Sequence, residues 1–175
     1  EKYYEGDDYR VCVINNKVVA VSKRIPPYII GDGIKSINQL INDLNSDERR
    51  GEDHEKPLTK IKIDDEVIRN LNINNYGINS ILEKGKKLIL RQNSNLSTGG
   101  IAVDCTDDIS EENKEICIRA AKAIGLDICG VDICTKSIKK SLLEEGAIIE
   151  VNAAPGLRMH SYPAIGKKRN VGIEI

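Results

Sequence analysis

The stretch Asp127–His160, DICGVDICTKSIKKSLLEEGAIIEVNAAPGLRMH, decides how this chain is read. Two apolar runs, residues 128–134 and 147–151, are bounded by polar, charged or glycine-bearing segments, the pattern of buried strands. Each carries an acid where a core strand should hold none: Asp132 in the first, Glu150 in the second, with Asn152 following. Side chains alternate between the faces of a strand. Ile128, Gly130, Asp132 and Cys134 therefore share one face, and Ile148, Glu150 and Asn152 share a face of the second strand. A hairpin through the loop around Lys136 to Gly146 sets Asp132 opposite Glu150 and Asn152, gathering two carboxylates and an amide oxygen. Such hard oxygen donors suit magnesium and, with it, the phosphates of a nucleotide. An antiparallel sheet with one solvated face produces the same alternation of acids. On these two strands alone both readings stay open.

At 175 residues the chain holds one ordinary domain or two small lobes. Its 26 basic and 27 acidic residues leave a net charge of -1, which gives no sign of a nucleic-acid or membrane-surface partner. Six Tyr without Phe or Trp argue against base-stacking platforms and leave the core to Ile, Leu and Val. Cys12, Cys105, Cys117, Cys129 and Cys134 form no CxxC pair, and three lie in apolar runs. That pattern predicts reduced thiols in a core and a cytoplasmic setting. No signal peptide or long apolar segment is visible. The first residue is Glu, and regular structure starts at once, so the chain is expected to be a piece of a longer protein.

Along the chain, residues 8–14 and 17–24 predict a hairpin turned at Asn15-Asn16. Residues 26–33, with two Pro and two Gly, predict a loop or irregular extended piece. A helix over 36–44 follows, opened by a Ser36/Gln39 capping box. After a polar loop over 47–57 come a short strand, LTKIKI, and a helix over 64–71 capped by Asp64. Residues 72–86 have no clear form. Strands are expected at 87–91 and 101–105, and a helix over 110–124 with Ile116, Ala120, Ala123 and Ile124 inward and Gly125 as its cap. Without strict βαβ alternation, the order of elements argues for an α+β fold with a largely antiparallel sheet and flanking helices.

The loop Asn93–Gly100, NSNLSTGG, offers hydroxyls, amides and glycines to phosphate oxygens, with Arg91 just before it as counter-charge. The same residue types are the commonest turn formers, so an ordinary loop is the stronger reading on composition alone. Arg10 stands mid-strand, on a solvated face or aimed into a cleft, the first being the default. His54 reads as a surface residue. His160, near Arg158 and just past the second acidic strand, suits the holding of an anionic substrate. No nucleophile elbow, Walker loop or dinucleotide fingerprint occurs.

The run IIEVNAAPG, following GVDI, resembles the metal-binding signature of the ATP-grasp carboxylate-amine ligases. On that resemblance Asp132, Glu150 and Asn152 are the metal ligands, and ATP and Mg2+ the cofactors. The opening EKYYEGDDYRV resembles the superfamily's hinge, which implies that Glu1, Lys2 and Tyr4 line the purine site and Asp8 holds the ribose. The expected domain is thus a partial ATP-grasp domain over 1–175, its C-terminal lobe, beginning at the adenine hinge and lacking the preceding lobe. Longer strings, among them RRGEDHEKPLTKIKID, LRQNSNLSTGG and EVNAAPGLRMHSYP, resemble a polymer-extending branch of the superfamily and favour it over ligases of the D-alanine:D-alanine or glutathione-synthetase kind. The implied reaction turns the C-terminal carboxylate of a peptide primer into an acyl phosphate that the amine of aspartate captures. Arg10 and Arg91 would be catalytic, neutralising phosphate charge with Asn93, Ser97, Thr98, Gly99 and Gly100 as nucleotide-binding residues. Gly156, Arg158 and His160 would grip a substrate carboxylate. A homo-oligomeric parent protein is expected, with no nucleic-acid or membrane partner and no ligase activity in the fragment alone. Another ATP-grasp peptide ligase, of the D-alanine:D-alanine or glutathione-synthetase kind and joining other amino acids, and a non-catalytic nucleotide-binding module are the alternatives.

Overall fold

The computed structural model describes residues 4–53 and 55–175, so Glu1, Lys2 and His54 lie outside the described residues. In chain order the elements begin with β1 (Asp7–Ile14), β2 (Lys17–Ile25), β3 (Tyr28–Ile30), α1 (Ile37–Asn45), β4 (Arg50–Gly51) and β5 (Leu58–Thr59). They continue with α2 (Asp65–Ile73), β6 (Lys87–Ile89), β7 (Ile101–Asp104), α3 (Glu111–Ile124), β8 (Ile128–Thr135), α4 (Leu142–Glu145), β9 (Gly146–Asn152) and α5 (Arg158–Ser161). They fall into two compact units, Glu1–Ile25 with Ala102–Ile175, and Pro26–Ile101. No helix among the described residues is long and apolar enough to cross a membrane.

The first unit is built on a five-stranded sheet in the order β7-β2-β1-β8-β9. β1 runs antiparallel to both β2 and β8, and β8 antiparallel to β9. The expected α+β fold with a largely antiparallel sheet is therefore the observed one. Asn15 and Asn16 both take positive φ, 49° and 60°, as a two-residue turn between right-twisted strands requires. One face of the sheet is apolar: Tyr9, Val11, Val13, Val21, Cys129, Val131 and Ile133 pack with Ile116, Cys117 and Ala121 of α3. Burial pushes the Cys12 thiol up to about 11 and Cys117 up to about 12, so these cysteines serve as small protonated core residues, as the sequence suggested.

Helix α3 starts and stops where expected. Ser110 Oγ accepts from Asn113 N, and Gly125 closes the helix at φ 76°. Its inner face is Asn113, Ile116, Cys117 and Ala121, whereas Ile124 is exposed, which corrects the expected stripe. The difference comes from Asn113. Its Nδ2 donates to the carbonyls of Ile138 and Lys140 at 2.8 and 2.7 Å, and its Oδ1 accepts from Leu142 N at 2.9 Å. A buried polar residue is thus the clasp for the segment joining β8 to β9, and it takes a place on the inner face of the helix.

The second unit has its own core, with Ile37, Ile41, Ile61, Val67, Leu71, Leu82, Leu88 and Leu90 among its buried residues. The Ser36/Gln39 capping box forms in full, and Asp64 caps α2 through Val67 N at 3.1 Å. The stretch 26–33, expected as a loop or irregular extended piece, is extended at β3, which pairs with β6, whereas the expected strand LTKIKI is paired only at Leu58–Thr59, parallel to β4. Asn45 ends that ladder: its amide donates to Ile61 O at 2.9 Å and accepts from Ile61 N at 2.8 Å, taking the place of a strand.

Candidate functional site

The other face of the five-stranded sheet is polar. Register places Ser22, Arg10, Asp132 and Glu150 side by side across β2, β1, β8 and β9. One pleat along, Ala20, Cys12, Gly130 and Asn152 form the next row, and on the other side Arg24, Asp8 and Cys134 line up. Residues directly opposite across antiparallel strands have Cβ atoms roughly 5 Å apart, so the acids at 132 and 150 converge.

Asp132 is only 3% exposed. The Arg10 guanidinium holds it through both Nε and Nη2, and Arg24 Nη1 lies 3.1 Å from its Oδ2. Arg10 is therefore not on a solvated face; it is buried, and a buried guanidinium needs such a partner. Gly130 makes room for it, because a Cβ there would lie 2.7 Å from Arg10 Cδ and 2.9 Å from Pro155 Cβ. Glu150 is exposed and accepts from Asn152 Nδ2 at 3.1 Å, while the same amide also donates to Gly130 O at 3.4 Å. Asn152 Oδ1 has no partner among the described residues. The trio is thus two carboxylates and one amide oxygen, a donor set that fits a hard cation. Among the described residues no three His, Cys, Asp or Glu side chains cluster as an alternative metal centre.

The hairpin departs from a simple alternation at one point. The β8–β9 register shifts after Asp132, so that Ile133 faces Ile148 and Ile149 is unpaired. Ile148 consequently does not share the face of Glu150 and Asn152, as the alternation predicted. A bulge of this kind bends the edge strand beside the acids.

His160, in α5, is 2% exposed, with Nδ1 2.9 Å from Ser22 Oγ. Burial, reinforced by the nearby Arg10 charge, pushes its pKa down to about 4. It is neutral near pH 7 and offers no positive charge to an anion. Arg158 is half-buried at the start of α5, and Gly156 is exposed with open space at its Cβ position. Tyr4 accepts a weak bond from Cys134 Sγ through its carbonyl, and Asp8 sits on the same face as Arg10.

Arg91, Asn93, Ser97, Thr98, Gly99 and Gly100 belong to the second unit. Arg91 is buried and gripped by Asp64 and Glu66. The loop is tied internally: Asn93 Oδ1 accepts from Thr98 Oγ1 at 3.1 Å and from Asn95 N at 3.3 Å, and Asn93 Nδ2 donates to Glu66 at 3.0 Å. Gly99 has φ 100°, and a Cβ there would stand 2.5 Å from Ile61 Cγ1, so glycine is required. Ser97 is exposed.

Sequence reading missed Ser22 and Arg24. The signal was present in the alternation of Ser22 and Arg24 along β2, which sets both on the face of Arg10, but a serine and an arginine at a strand end look like ordinary surface residues.

A family model described as the RimK-like ATP-grasp domain matches residues 57–174. Cyanophycin synthetases of Crocosphaera subtropica and a Synechocystis species are each 49% identical to this chain over 176 residues, covering 100% of it and 20% of their own length. They are the branch that the longer strings resemble. The glutathione biosynthesis bifunctional protein of Listeria innocua is 41% identical, with 23% of its length covered. A crystal structure of the bifunctional glutathione synthetase from Pasteurella multocida superposes with a TM-score of 0.83 at 32% identity, over 99% of this chain and 24% of that one. The chain spans about one fifth of the length of the curated relatives it matches. With the family model covering two thirds of the chain, this chain belongs to the RimK-like ATP-grasp family of ligase domains.

Proposed function

We propose that this chain is the ATP-binding part of a carboxylate-amine ligase of the cyanophycin synthetase kind. In this reading the C-terminal carboxylate of a peptide primer attacks the γ-phosphorus of ATP, releasing ADP and leaving an acyl phosphate. The aspartate amine then attacks the acyl carbon and expels phosphate. The observation that carries the reading is the row Arg10, Asp132, Glu150, with Asn152 beside it, on a chain whose identity to cyanophycin synthetases exceeds that to the glutathione proteins.

Asp132, Glu150 and Asn152 are the residues to hold Mg2+, and Mg2+ so held supplies charge neutralisation at phosphate oxygens. Arg10 orients Asp132 and brings positive charge beside it. Tyr4 and Asp8, with Glu1 and Lys2 preceding them, are proposed for the purine and ribose, and Arg91 with Asn93, Ser97, Thr98, Gly99 and Gly100 for the phosphates. Gly156, Arg158 and His160 are proposed for the substrate carboxylate, His160 acting as a neutral ring. Five reduced thiols fit a cytoplasmic protein, and a homo-oligomeric parent belongs to the same reading.

The test is ligation by the protein that carries this chain, followed as phosphate release dependent on ATP, Mg2+, primer and aspartate together. Glu150→Gln is the informative variant, because Glu150 is exposed and its loss leaves no buried charge unpaired. The reading expects turnover to fall by about 100-fold or more with the protein still folded. Unchanged turnover would reduce the acids to a solvated sheet face, and turnover with other amino acids but not aspartate would move the protein to a sister ligase.

A further inference from the structure

Outside the polar sheet face, the second unit holds a cleft of about 460 Å³ with largely apolar walls, among them Pro27, Tyr28, Leu40, Leu44 and Ile101. Arg50 also lines it. That residue is 5% exposed, and its described hydrogen bonds all leave from Nη1, to the carbonyls of Thr59 and Gly99. Arg50 Nε is buried with no partner among the described residues. The acids around it are engaged elsewhere: Asp43, on the cleft wall, pairs with Lys35 at 2.6 Å, and Asp47 pairs with Arg49 at 2.8 Å. Asp47 lies close enough to act on Arg50 electrostatically, yet among the described residues no carboxylate bonds it directly, and the cost of burying a guanidinium bonded only to carbonyls is offset when an anion reaches it in a place of low polarity.

We propose that this cleft is a binding site for a carboxylate on an apolar stem, the carboxylate meeting Arg50 and the stem lying against Leu40, Leu44 and Tyr28. Its size is that of a small-ligand pocket, mostly apolar with one fixed polar anchor. A single guanidinium with one nitrogen already committed to carbonyls matches a monoanion better than a phosphate dianion, which calls for several donors. The site's residues all belong to the second unit and include none of the acidic hairpin, and it shares only Gly99 with the loop proposed for the phosphates.

The test is a methyl-NMR titration of the full protein carrying this chain, following Ile29, Leu40, Leu44 and Ile101. Hexanoate and N-acetyl-leucine distinguish a free acid from a peptide C-terminus, with hexanol and N-acetyl-leucinamide as uncharged controls. At least one acid should shift these methyls and bind about 10-fold or more tightly than its control, a preference that Arg50→Met removes. Arg50 also bonds backbone carbonyls, so Leu44→Phe, which fills the cleft and leaves the guanidinium in place, provides a second variant. It should abolish the shifts while the fold persists. Controls that bind as well as the acids, an absence of shifts, or binding that survives Leu44→Phe would each overturn the proposal.

Discussion

Asp132 is asked to do two things at once: neutralise Arg10 and Arg24 inside the sheet face, and offer oxygen to a cation. Its removal is therefore a stability experiment before it is a catalytic one. Asp132→Ala strands the buried Arg10 guanidinium and the half-buried Arg24 and should lower the unfolding free energy by about 3–5 kcal/mol in urea denaturation. Adding Arg10→Met and Arg24→Met should restore most of it, because replacing a whole buried ion cluster by apolar groups is far less costly than breaking one. A triple variant no more stable than Asp132→Ala would show that the ion cluster is not the source of the loss. His160 gives a second test with a definite sign. The ring titrates near pH 4 in the fold and near pH 6.5 when unfolded, so between those values the unfolded chain holds more protons and stability falls as pH drops. The full window is worth about 3 kcal/mol. In His160→Asn, which keeps an amide within reach of Ser22, this share of the loss between pH 6.5 and pH 4 should vanish while carboxylate effects remain. An unchanged pH slope would remove His160 as its source. The acids were legible in the sequence because a charge inside an apolar run has few explanations. Arg24 and the neutral state of His160 were not, since both depend on which strands are neighbours.

At the scale of elements, local chemistry was read well and long-range pairing less so. The Asn15-Asn16 turn, the Ser36/Gln39 box, the Asp64 cap and the Gly125 stop each lie within a few residues of what they control, and each formed as expected. The parallel pairing of β4 with β5, the β3–β6 pair and the bulge at Ile149 depend on partners that no local pattern names. The face of α3 is the clearest case, because hydrophobic periodicity discards a buried asparagine. Asn113→Leu would fill similar space while leaving two carbonyls and one N–H without their partner. Unsatisfied buried groups cost about 1–3 kcal/mol each, so a loss of at least ~3 kcal/mol is expected in thermal or urea unfolding. Ala123→Ser, exposed on the same helix, should change stability by about 0.5 kcal/mol or less. Equal effects from the two would mean that the clasp contributes nothing.

At the scale of the whole molecule, the buried apolar residues divide as the chain does. The clusters around Val11 and Val131 and around Cys12 and Ile14 belong to one unit, and the cluster around Ile41 and Leu90 to the other. Sequence length alone allowed one domain or two lobes and could not choose, because the second unit enters as an insertion between β2 and β7 rather than as a consecutive block. Cores that share no described residue should open separately, since local unfolding follows contiguous cooperative groups. Leu90 is fully buried, and Leu90→Ala should cost about 2–5 kcal/mol. That cost should register in hydrogen exchange as faster exchange at the amides of α1, α2 and β6, with protection in β1 and β8 unchanged. A parallel loss in β1 and β8 would instead make the two cores one cooperative structure. In that case the acids of the polar face would share their stability with the unit that carries Arg50 and Arg91.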